Sequence, residues 1–429
     1  MARIVICSWG SFGDLYPYIG LGIALRALGH RPRLALPSVY QPLVEGEGLD
    51  FAAVGPDIDI EDRELAARIM DPIRGTDVLF DELLVPSLAR SHADLMSATS
   101  DADLLVTHPA ALAGVIVAEE RRLPWASSVL APMSFFSVSD PIVPPPAPWV
   151  HAWLARSPLL SRLALQVVRR TTQKWAAPVV AFRASRGLPP RGNPILEGQH
   201  SPHLVLALFS KLLAAPQPDW PPHVRVTGAV LYNGARAMEM PADLGEFLDS
   251  GPPPIVFTLG TSAIASAGDF YEVSAAAVEG LNQRAVLLVG PHARNRPRTL
   301  SDRIFLAEFV PHALVFPRAA AIVHQGGAGT MHQALASGRP MIVVPHAHDQ
   351  PDNARRVTAL GVARTIFPKQ YDVRRLAADL RALIEQPEYT TRAEQCRTGV
   401  LSEGGAAAAA GAIDDLCRTH KIASLDKRH

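Results

Sequence analysis

Short apolar runs alternate with amphipathic segments along the first half of the chain. Strands are predicted at 3–8, 31–36, 103–107, 125–130 and 203–208. Apolar residues recur at helical spacing at 17–28, 110–122 and 151–186. Strands that alternate with helices in this way predict a doubly wound parallel sheet.

The same rhythm restarts in the second half. Strands are predicted at 255–259, 285–289, 304–307, 320–323, 341–344 and 363–366. Helices are predicted at 269–281, 327–337, 350–360 and 372–385. The sequence therefore predicts an α/β protein with two tandem Rossmann-like domains.

A stretch rich in Pro, Gly and Asn separates the two halves and predicts the domain boundaries. We expect an N-terminal domain over 1–211, a linker over 212–250 and a C-terminal domain over 251–402. The remaining residues, 403–429, are expected to form a helix and tail that pack back towards the N-terminal domain.

Composition narrows the class of protein. Of 429 residues, 48% are hydrophobic and 19% are charged, which suits a globular chain. Lys plus Arg and Asp plus Glu both number 41, so no positive field favours nucleic acid. The 3 Cys do not form a disulfide framework, and no transmembrane segment is apparent, so a cytoplasmic location is expected.

The most informative segment begins with His324-Gln325-Gly326-Gly327-Ala328-Gly329-Thr330, between a predicted strand and a predicted helix. Glycines allow close backbone approach, and the amides at a helix start attract an anion, so a phosphate is expected here. The turn lacks the Lys-Ser or Lys-Thr of a Walker loop. A purely structural strand-to-helix turn is the alternative.

A carboxylate and an amide, Asp349 and Gln350, follow the predicted strand at 341–344. Ligands bind at the carboxyl ends of strands in open α/β sheets, and these two groups suit sugar hydroxyls. Either residue alone is more often a helix N-cap.

Together the two segments resemble the nucleotide-sugar signature of family-one glycosyltransferases of the GT-B fold, in which His precedes a glycine turn and an Asp-Gln pair follows. The chain has His324, Asp349, Gln350 and Asn353 in that order. The resemblance extends over nearly the whole chain. It implies two Rossmann-like domains facing across a cleft, the N-terminal one for the acceptor and the C-terminal one for the donor.

The resemblance also implies which residues hold the donor. His324, the glycine turn and a second loop after the strand at 255–259 would hold the diphosphate, and Asp349 and Gln350 would bind the sugar. The implied diphosphate-binding residues are Gly13, Thr261, Ser262, His324, Gly326, Gly327, Ala328, Gly329 and Thr330.

A further loop, Glu308-Phe309-Val310-Pro311-His312, resembles the one on which the nucleotide base lies. An aromatic face stacks on a pyrimidine, so Phe309 would contact the base, with Val310 and His312 beside it. His332 stands where many plant members have Glu near the ribose. A core role for Phe309 is the alternative, and the loop does not distinguish uridine from thymidine.

The catalytic base is expected in Gly10-Ser11-Phe12-Gly13-Asp14, after the first strand. Asp14 is predicted in a loop just ahead of a helix that begins at Pro17. The bacterial branch acting on lipids, sterols and natural products often has Gly-Ser-x-Gly-Asp here, which implies that Asp14 is the general base. Helix capping is the alternative role, and the two roles are compatible.

The expected reaction is inverting transfer of a hexose from a UDP- or dTDP-sugar to a hydroxyl of a small apolar or aromatic acceptor, without a metal or other cofactor. Phe80, Leu84, Met133 and Phe136 are the candidate acceptor-binding residues, and core packing is the alternative for them. A nucleotide-sugar epimerase or a non-catalytic nucleotide-sugar binding protein are the competing functions. The chain is expected to be a monomer or a homodimer.

Overall fold

A computed structural model describes residues 1–57, 62–234 and 239–426 of the chain. The chain divides into two compact units. The first comprises Met1–Ile60, Thr76–Tyr232 and Glu403–His429, and the second comprises Glu61–Gly75 and Asn233–Ser402. Each unit contains one all-parallel sheet with helices around it, which confirms the predicted α/β class with two doubly wound domains.

The first unit is built on seven strands in the order β3-β2-β1-β4-β5-β6-β7. The strands are β1 (Arg3–Cys7), β2 (Arg31–Leu36), β3 (Asp50–Ala53), β4 (Leu104–Thr107), β5 (Trp125–Val129), β6 (Val205–Ala207) and β7 (Val224–Val226). β1 and β4 pair in parallel, with Ile4 opposite Leu104. Both strands are almost wholly apolar because helices cover both faces of the sheet.

Helices of the first unit connect successive strands and complete its core. They are α1 (Phe12–Ala27), α2 (Gln41–Gly46), α4 (Gly75–Asp77, whose first residue lies in the second unit), α5 (Leu88–Ala98), α6 (Ala113–Glu120), α7 (His151–Leu154), α8 (Pro158–Thr171), α9 (Gln173–Ser185) and α18 (Gly405–Asp426). A π-helix spans Val78–Leu84, and short 3₁₀ turns include Pro132–Phe135 and Pro148–Val150. The C-terminal α18 packs against α1, within the first unit.

The second unit has six strands in the order β10-β9-β8-β11-β12-β13. They are β8 (Ile255–Thr258), β9 (Ala285–Leu288), β10 (Ile304–Ala307), β11 (Ala321–His324), β12 (Met341–Val343) and β13 (Ala363–Thr365). Its helices are α3 (Arg63–Ile69), α10 (Ala242–Asp249), α11 (Gly260–Ala263), α12 (Phe270–Gly280), α13 (His312–Val315), α14 (Ala328–Ser337), α15 (Gln350–Ala359), α16 (Val373–Glu385) and α17 (Pro387–Ser402).

The unit boundary, between Tyr232 and Asn233, lies inside the segment predicted as a linker over 212–250. That segment also contains β7 and α10. β3 and β7, which the sequence did not predict, are the two edge strands of the first sheet. With four and three residues they offer too little alternation to be recognised among flanking Gly and Pro.

Among the described residues, no helix combines the length and the apolar character needed to cross a bilayer.

Candidate active site and donor-binding loops

The predicted donor loops of the second unit all lie at one edge of its sheet, because the strands that precede them run in parallel. β8 pairs with β11, although β9 and β10 lie between them in sequence. Such a switch in strand order opens a crevice at the carboxyl ends of the strands, where α/β proteins bind ligands. The loops after β8, β11 and β12 therefore share this edge.

The glycine turn after β11 leads directly into α14. Gly326 has a φ of 90°, and a Cβ there would lie 2.6 Å from Val343 Cγ1, so a larger residue does not fit. Gly327 is the N-cap of α14, and it provides no side chain to cap the helix. The first amides of this ten-residue helix, with its dipole, are therefore available to an anion.

His324 is fully buried at the end of β11. Its Nδ1 accepts a hydrogen bond from the Gly326 amide at 3.0 Å, and its Nε2 lies 3.3 Å from Met341 Sδ. Burial lowers the pKa of His324 to about 3, so the ring is neutral near pH 7. The structure thus differs from the predicted direct diphosphate contact: both ring nitrogens face protein atoms, and the imidazole holds the glycine turn in place.

The side chain of Gln325, in the glycine turn, lies between the two predicted phosphate loops. A Cβ added at Gly260 would lie 2.3 Å from Gln325 Nε2, and one at Gly327 would lie 2.9 Å from the same atom. The side chain is 3% exposed, and its Oε1 has no hydrogen-bond partner within the described chain. A buried amide with an unused acceptor beside two glycines is an arrangement that a bound ligand can complete.

The loop after β8 is the second predicted phosphate loop. Gly260, with a φ of 60°, donates its amide to Thr258 Oγ1 at 3.1 Å and opens α11. Thr261 is exposed and Ser262 is half-buried, so both can reach a ligand. The segments 258–262, 324–330 and 345–350 contain no Lys or Arg. The groups at this edge that can bind an anion are therefore amides, hydroxyls and the α14 dipole.

The predicted sugar-binding pair has two different environments. Asp349 is half-buried, with Oδ2 accepting from Asn353 Nδ2 at 2.8 Å, and it can still reach a ligand. Gln350 is buried, and its Oε1 accepts from the amides of His346 at 2.8 Å and Ala347 at 3.3 Å. The acceptor oxygen of Gln350 therefore shapes the loop after β12, and the predicted contact with the sugar would come from its Nε2 donor.

The predicted base loop follows β10. Phe309 is 59% exposed, so it does not belong to the core and presents its ring to solvent. Val310 is fully buried and anchors the loop. The His312 ring stacks on Phe316 with a centroid distance of 4.3 Å, and burial lowers the pKa of His312 to about 4. Phe309 is thus the residue of this loop best suited to stack on a base.

His332 lies inside α14 rather than at the surface. It is 4% exposed, its Nδ1 lies 2.8 Å from the Ala328 carbonyl oxygen, and burial lowers its pKa to about 4. A direct contact with the ribose, as predicted, would require this ring to turn out of the helix packing.

Asp14 lies in the first turn of α1, which begins at Phe12 and not at Pro17 as predicted. Ser11 is the N-cap, and Asp14 Oδ2 accepts from the Ser11 amide at 2.9 Å and from Ser11 Oγ at 3.1 Å. The prediction of a loop carboxylate is therefore wrong: Asp14 forms half of a capping box. Pro17 is accommodated in the second turn of the helix.

The other carboxylate oxygen of Asp14, Oδ1, has no hydrogen-bond partner in the described parts of the chain. Burial raises the pKa of Asp14, and the hydrogen bonds from Ser11 oppose this shift only in part. The turn before it is tight, because Gly10 has a φ of 138° and a Cβ there would lie 2.5 Å from Asp14 Oδ2. Asp14 thus combines a fixed orientation with a raised basicity.

Aromatic rings surround the start of α1 within the first unit. Phe12 contacts Tyr16 and Tyr40 at centroid distances of 5.5 and 5.4 Å, and Tyr16 contacts Tyr232 at 5.3 Å. The Tyr40 hydroxyl donates to the Gly10 carbonyl at 2.9 Å and fixes the turn. Asp14 therefore lies beside an apolar, aromatic wall.

The four candidate acceptor residues do not form one cluster. Phe80 stacks on Trp175 with a centroid distance of 4.6 Å, which is a packing role. Leu84 lines a small cavity, of about 20 Å³, next to Ser8 and Trp9, at the carboxyl end of β1. Met133 and Phe136 follow β5 and are half-buried.

A second small cavity, of about 30 Å³, lies at the carboxyl end of β4. His108, Ile116 and Val179 are among its lining residues. Burial lowers the pKa of His108 to about 3, so its ring is neutral and adds little polarity to the mostly apolar wall.

Two residues of the donor edge, Gln325 and the supporting Asn353, were not given a role from the sequence. Asn353 Nδ2 donates to the Gly326 carbonyl at 2.9 Å, which joins the glycine turn to α15. From the sequence, both residues could be placed only in the two donor segments, the glycine turn and the segment after β12. Their roles became visible only from burial and from distances between loops.

Comparison with known proteins adds independent findings. Residues 273–416 match the family model described as "Erythromycin biosynthesis protein CIII-like, C-terminal domain". Glycosyltransferase GtfE of Amycolatopsis orientalis is 30% identical over 414 residues, which cover 95% of this chain and 96% of that protein. O-mycaminosyltylonolide 6-deoxyallosyltransferase of Streptomyces fradiae is 29% identical, with 98% and 99% of the two chains covered.

Solved structures agree on the fold. The glycosyltransferase of kitacinnamycin has a TM-score of 0.75 at 22% identity, with 97% of this chain and 99% of that chain covered. Spinosyn rhamnosyltransferase SpnG complexed with thymidine diphosphate has a TM-score of 0.69 at 19% identity, with 96% and 100% covered.

Two units with parallel α/β sheets, together with these similarities, define a nucleotide-sugar-dependent glycosyltransferase of the GT-B fold. The chain belongs to the family-one glycosyltransferases of that fold, and it is a glycosyltransferase.

Proposed function

We propose that the protein transfers a hexose from a UDP- or dTDP-sugar to a hydroxyl of a small apolar or aromatic molecule, with inversion and with Asp14 as the general base. The observation that carries this proposal is the Asp14 carboxylate. One oxygen is fixed by Ser11, the other is not engaged within the described chain, and burial raises its pKa. A positioned carboxylate of raised pKa is suited to accept a proton from an alcohol.

In the proposed step, Asp14 takes the proton of the acceptor hydroxyl as that oxygen attacks the anomeric carbon. The bond between this carbon and the diphosphate oxygen breaks, and the nucleoside diphosphate leaves with the bonding electrons. Attack from the face opposite the leaving group inverts the configuration, as in inverting glycosidases. The amides at the start of α14 and the hydroxyls of Thr261 and Ser262 would stabilise the negative charge on the leaving group.

We propose that no metal or other cofactor takes part, since amides and a helix dipole can neutralise the diphosphate. The site has no cationic side chain in its three loops, and His324 is neutral. The affinity for the donor would then depend on the placement of the amides and hydroxyls of the three loops more than on the net charge of the site.

An apolar or aromatic acceptor is supported by the aromatic rings beside Asp14. The relatives point to the same class. One is named O-mycaminosyltylonolide 6-deoxyallosyltransferase, and another is named sterol 3-beta-glucosyltransferase. Phenolic, polyketide, sterol and lipid hydroxyls are therefore the acceptors to test.

A donor-by-acceptor screen tests the proposal. The purified protein is incubated with UDP- and dTDP-hexoses and with a panel of flavonoids, macrolides, sterols and hydroxy fatty acids, and products are detected by mass. An acceptor heavier by one hexose, with inverted anomeric configuration by NMR, supports the proposal. Isomerised donor without acceptor would instead indicate an epimerase, and donor binding without any product would indicate a binding protein.

A further inference from the structure

Two short helices and the turn before them, in the first unit, carry apolar side chains that face solvent. The surface consists of the 3₁₀ turn Pro148–Val150, α7 and α8, and is called the α7–α8 surface below. Trp149 is 71% exposed and Trp153 is 63% exposed. Four aliphatic residues of α8 are also exposed, namely Leu159, Leu160, Leu163 and Val167.

The exposed positions of α8 lie on one side of the helix. At about 100° per residue, Leu159, Leu163, Val167 and Arg170 fall within an arc of about 80°. Ser161 lies on the opposite side, is buried, and donates its hydroxyl to the Leu154 carbonyl at 2.9 Å. α8 is therefore amphipathic with its apolar side turned outwards, the reverse of an ordinary surface helix.

The charge of the region is one-sided. Between Asp140 and Glu197 the sequence contains no Asp or Glu but has eight Lys and Arg residues. Five of these pair with acids from outside the segment: Arg169 with Glu197, Lys174 with Asp77, Arg183 and Arg191 with Glu119, and Arg186 with Glu120.

The other three, Arg156, Arg162 and Arg170, are exposed and make no ion pair within the described residues. They are the basic residues of α8 and of the turn between α7 and α8 that remain without an acid. In a chain whose formal net charge is zero, this surface is a local positive field.

We propose that the α7–α8 surface docks the protein onto an anionic lipid bilayer. An amphipathic helix with exposed Leu, preceded by two exposed Trp and flanked by unpaired arginines, has the features of a helix that lies in a membrane interface. The apolar side chains enter the boundary between head groups and acyl chains, and the arginines contact lipid phosphates. This inference depends on the surface of the first unit and not on the proposed acceptor.

A second copy of the chain is a poorer occupant. A two-fold interface would place the same surface against itself, so that Arg162 and Arg170 would meet another set of arginines without an acid to pair with. An exposed apolar patch of this kind marks an interaction site. A lipid surface of opposite charge supplies both an apolar and an anionic partner for it.

Vesicle flotation with the full-length protein tests the inference. Phosphatidylcholine vesicles are compared with vesicles containing about 30% phosphatidylglycerol, at low and at high salt. We expect binding to the anionic vesicles that weakens as salt screens the charges. The double variant R162A/R170A should lower the partition coefficient about 25-fold, since each basic residue near such a surface contributes a factor of about five. W153S/L163S should lower it about ten-fold or more.

Matched controls lie in the second unit. Arg374 and Arg392 are exposed and unpaired among the described residues, so R374A/R392A should bind as the wild type does. Leu401 is 54% exposed, and L401S should likewise leave binding unchanged. Circular dichroism and Tm confirm that each variant is folded.

Several results would overturn the inference. Equal binding to neutral and anionic vesicles would show that the arginines do not contribute to binding. Unchanged binding of R162A/R170A would show the same. Failure to bind vesicles, with self-association that L163S abolishes in sedimentation, would assign the surface to a second copy. Tighter binding to poly-L-glutamate than to the anionic vesicles would assign it to an acidic protein.

Discussion

The side chain of Asn353 donates a hydrogen bond to the carbonyl oxygen of Gly326 at 2.9 Å, across 27 positions of sequence. The same Nδ2 also donates to Asp349 Oδ2 at 2.8 Å. One buried amide thus joins the glycine turn, which is proposed to hold the diphosphate, to the carboxylate proposed to hold the sugar. The two halves of the signature form one structural element.

Replacing Asn353 by Ala should weaken nucleotide-sugar binding and destabilise the protein. The buried Gly326 carbonyl would lose its donor, which costs about 2 kcal/mol, and the turn would relax. Calorimetry is expected to show affinity lower by about ten-fold. Asn193→Ala is the matched control, because Asn193 is a buried, hydrogen-bonded Asn of the first unit. Equal loss of donor affinity in both variants would refute the specific role of Asn353.

The affinity for an intact nucleotide sugar should be independent of pH between 5.5 and 8. His324 has its pKa lowered to about 3 by burial, and His312 and His332 to about 4, so none gains a proton in this range. The diphosphate of an intact nucleotide sugar does not titrate there either. Binding about ten-fold tighter at pH 5.5 than at pH 8 would mean that a histidine acts as a cation.

His324→Ala should nevertheless weaken donor binding, because the Gly326 amide would lose its acceptor and the turn its support. The expected loss in affinity is about ten-fold, measured by calorimetry at pH 7.5. Unchanged affinity would remove His324 from the donor site altogether.

Phe309→Ala should weaken nucleotide binding without affecting stability. The ring is 59% exposed, so its removal costs little packing, whereas a stacked base loses about 1 kcal/mol, or about five-fold in affinity. Phe309→Trp should keep the affinity. Leu300→Ala is the control, since Leu300 is an exposed apolar residue of the same unit. A lowered Tm with unchanged affinity would show that Phe309 only packs.

Strands buried on both faces could be predicted from sequence to within a residue or two, because runs such as Arg3–Cys7 and Ile255–Thr258 are apolar and end at turns. The edge strands Asp50–Ala53 and Val224–Val226 could not, because pairing with one neighbour leaves little pattern in so few residues. The segment Glu61–Gly75 belongs to the second unit. This assignment depends on tertiary contacts, which the local sequence pattern does not indicate.

The candidate site was predictable as a set of segments but not as a set of contacts. The family resemblance located His324, Asp349 and Asp14, yet it assigned His324 to the ligand although its nitrogens face Gly326 and Met341. Pro17 suggested a helix start, whereas Ser11 and Asp14 cap the helix five residues earlier. Side-chain direction depends on packing, which a single sequence does not display.

Ser11→Ala should move the acid limb of the kcat profile to higher pH. The Ser11 hydroxyl stabilises the ionised form of Asp14, so its loss raises the pKa of the base further. A base of higher pKa loses its ionised form at a higher pH as the solution is acidified. Ser402→Ala is the control, because its hydroxyl donates only to the Gly399 carbonyl. If the acid limb did not move, Ser11 would not affect the pKa of the catalytic base.

Asp14→Asn, assayed for kcat and for donor Kd, tests the central claim most directly. Asn keeps the size of the side chain but cannot accept the proton, so kcat should fall by a factor of about 100 to 10,000, with donor affinity and Tm near the wild-type values. Asp372→Asn is the matched control, because Asp372 caps α16 through the Arg375 amide at 2.8 Å and has no proposed part in the chemistry. Asp14→Asn with kcat within three-fold of wild type would contradict the account.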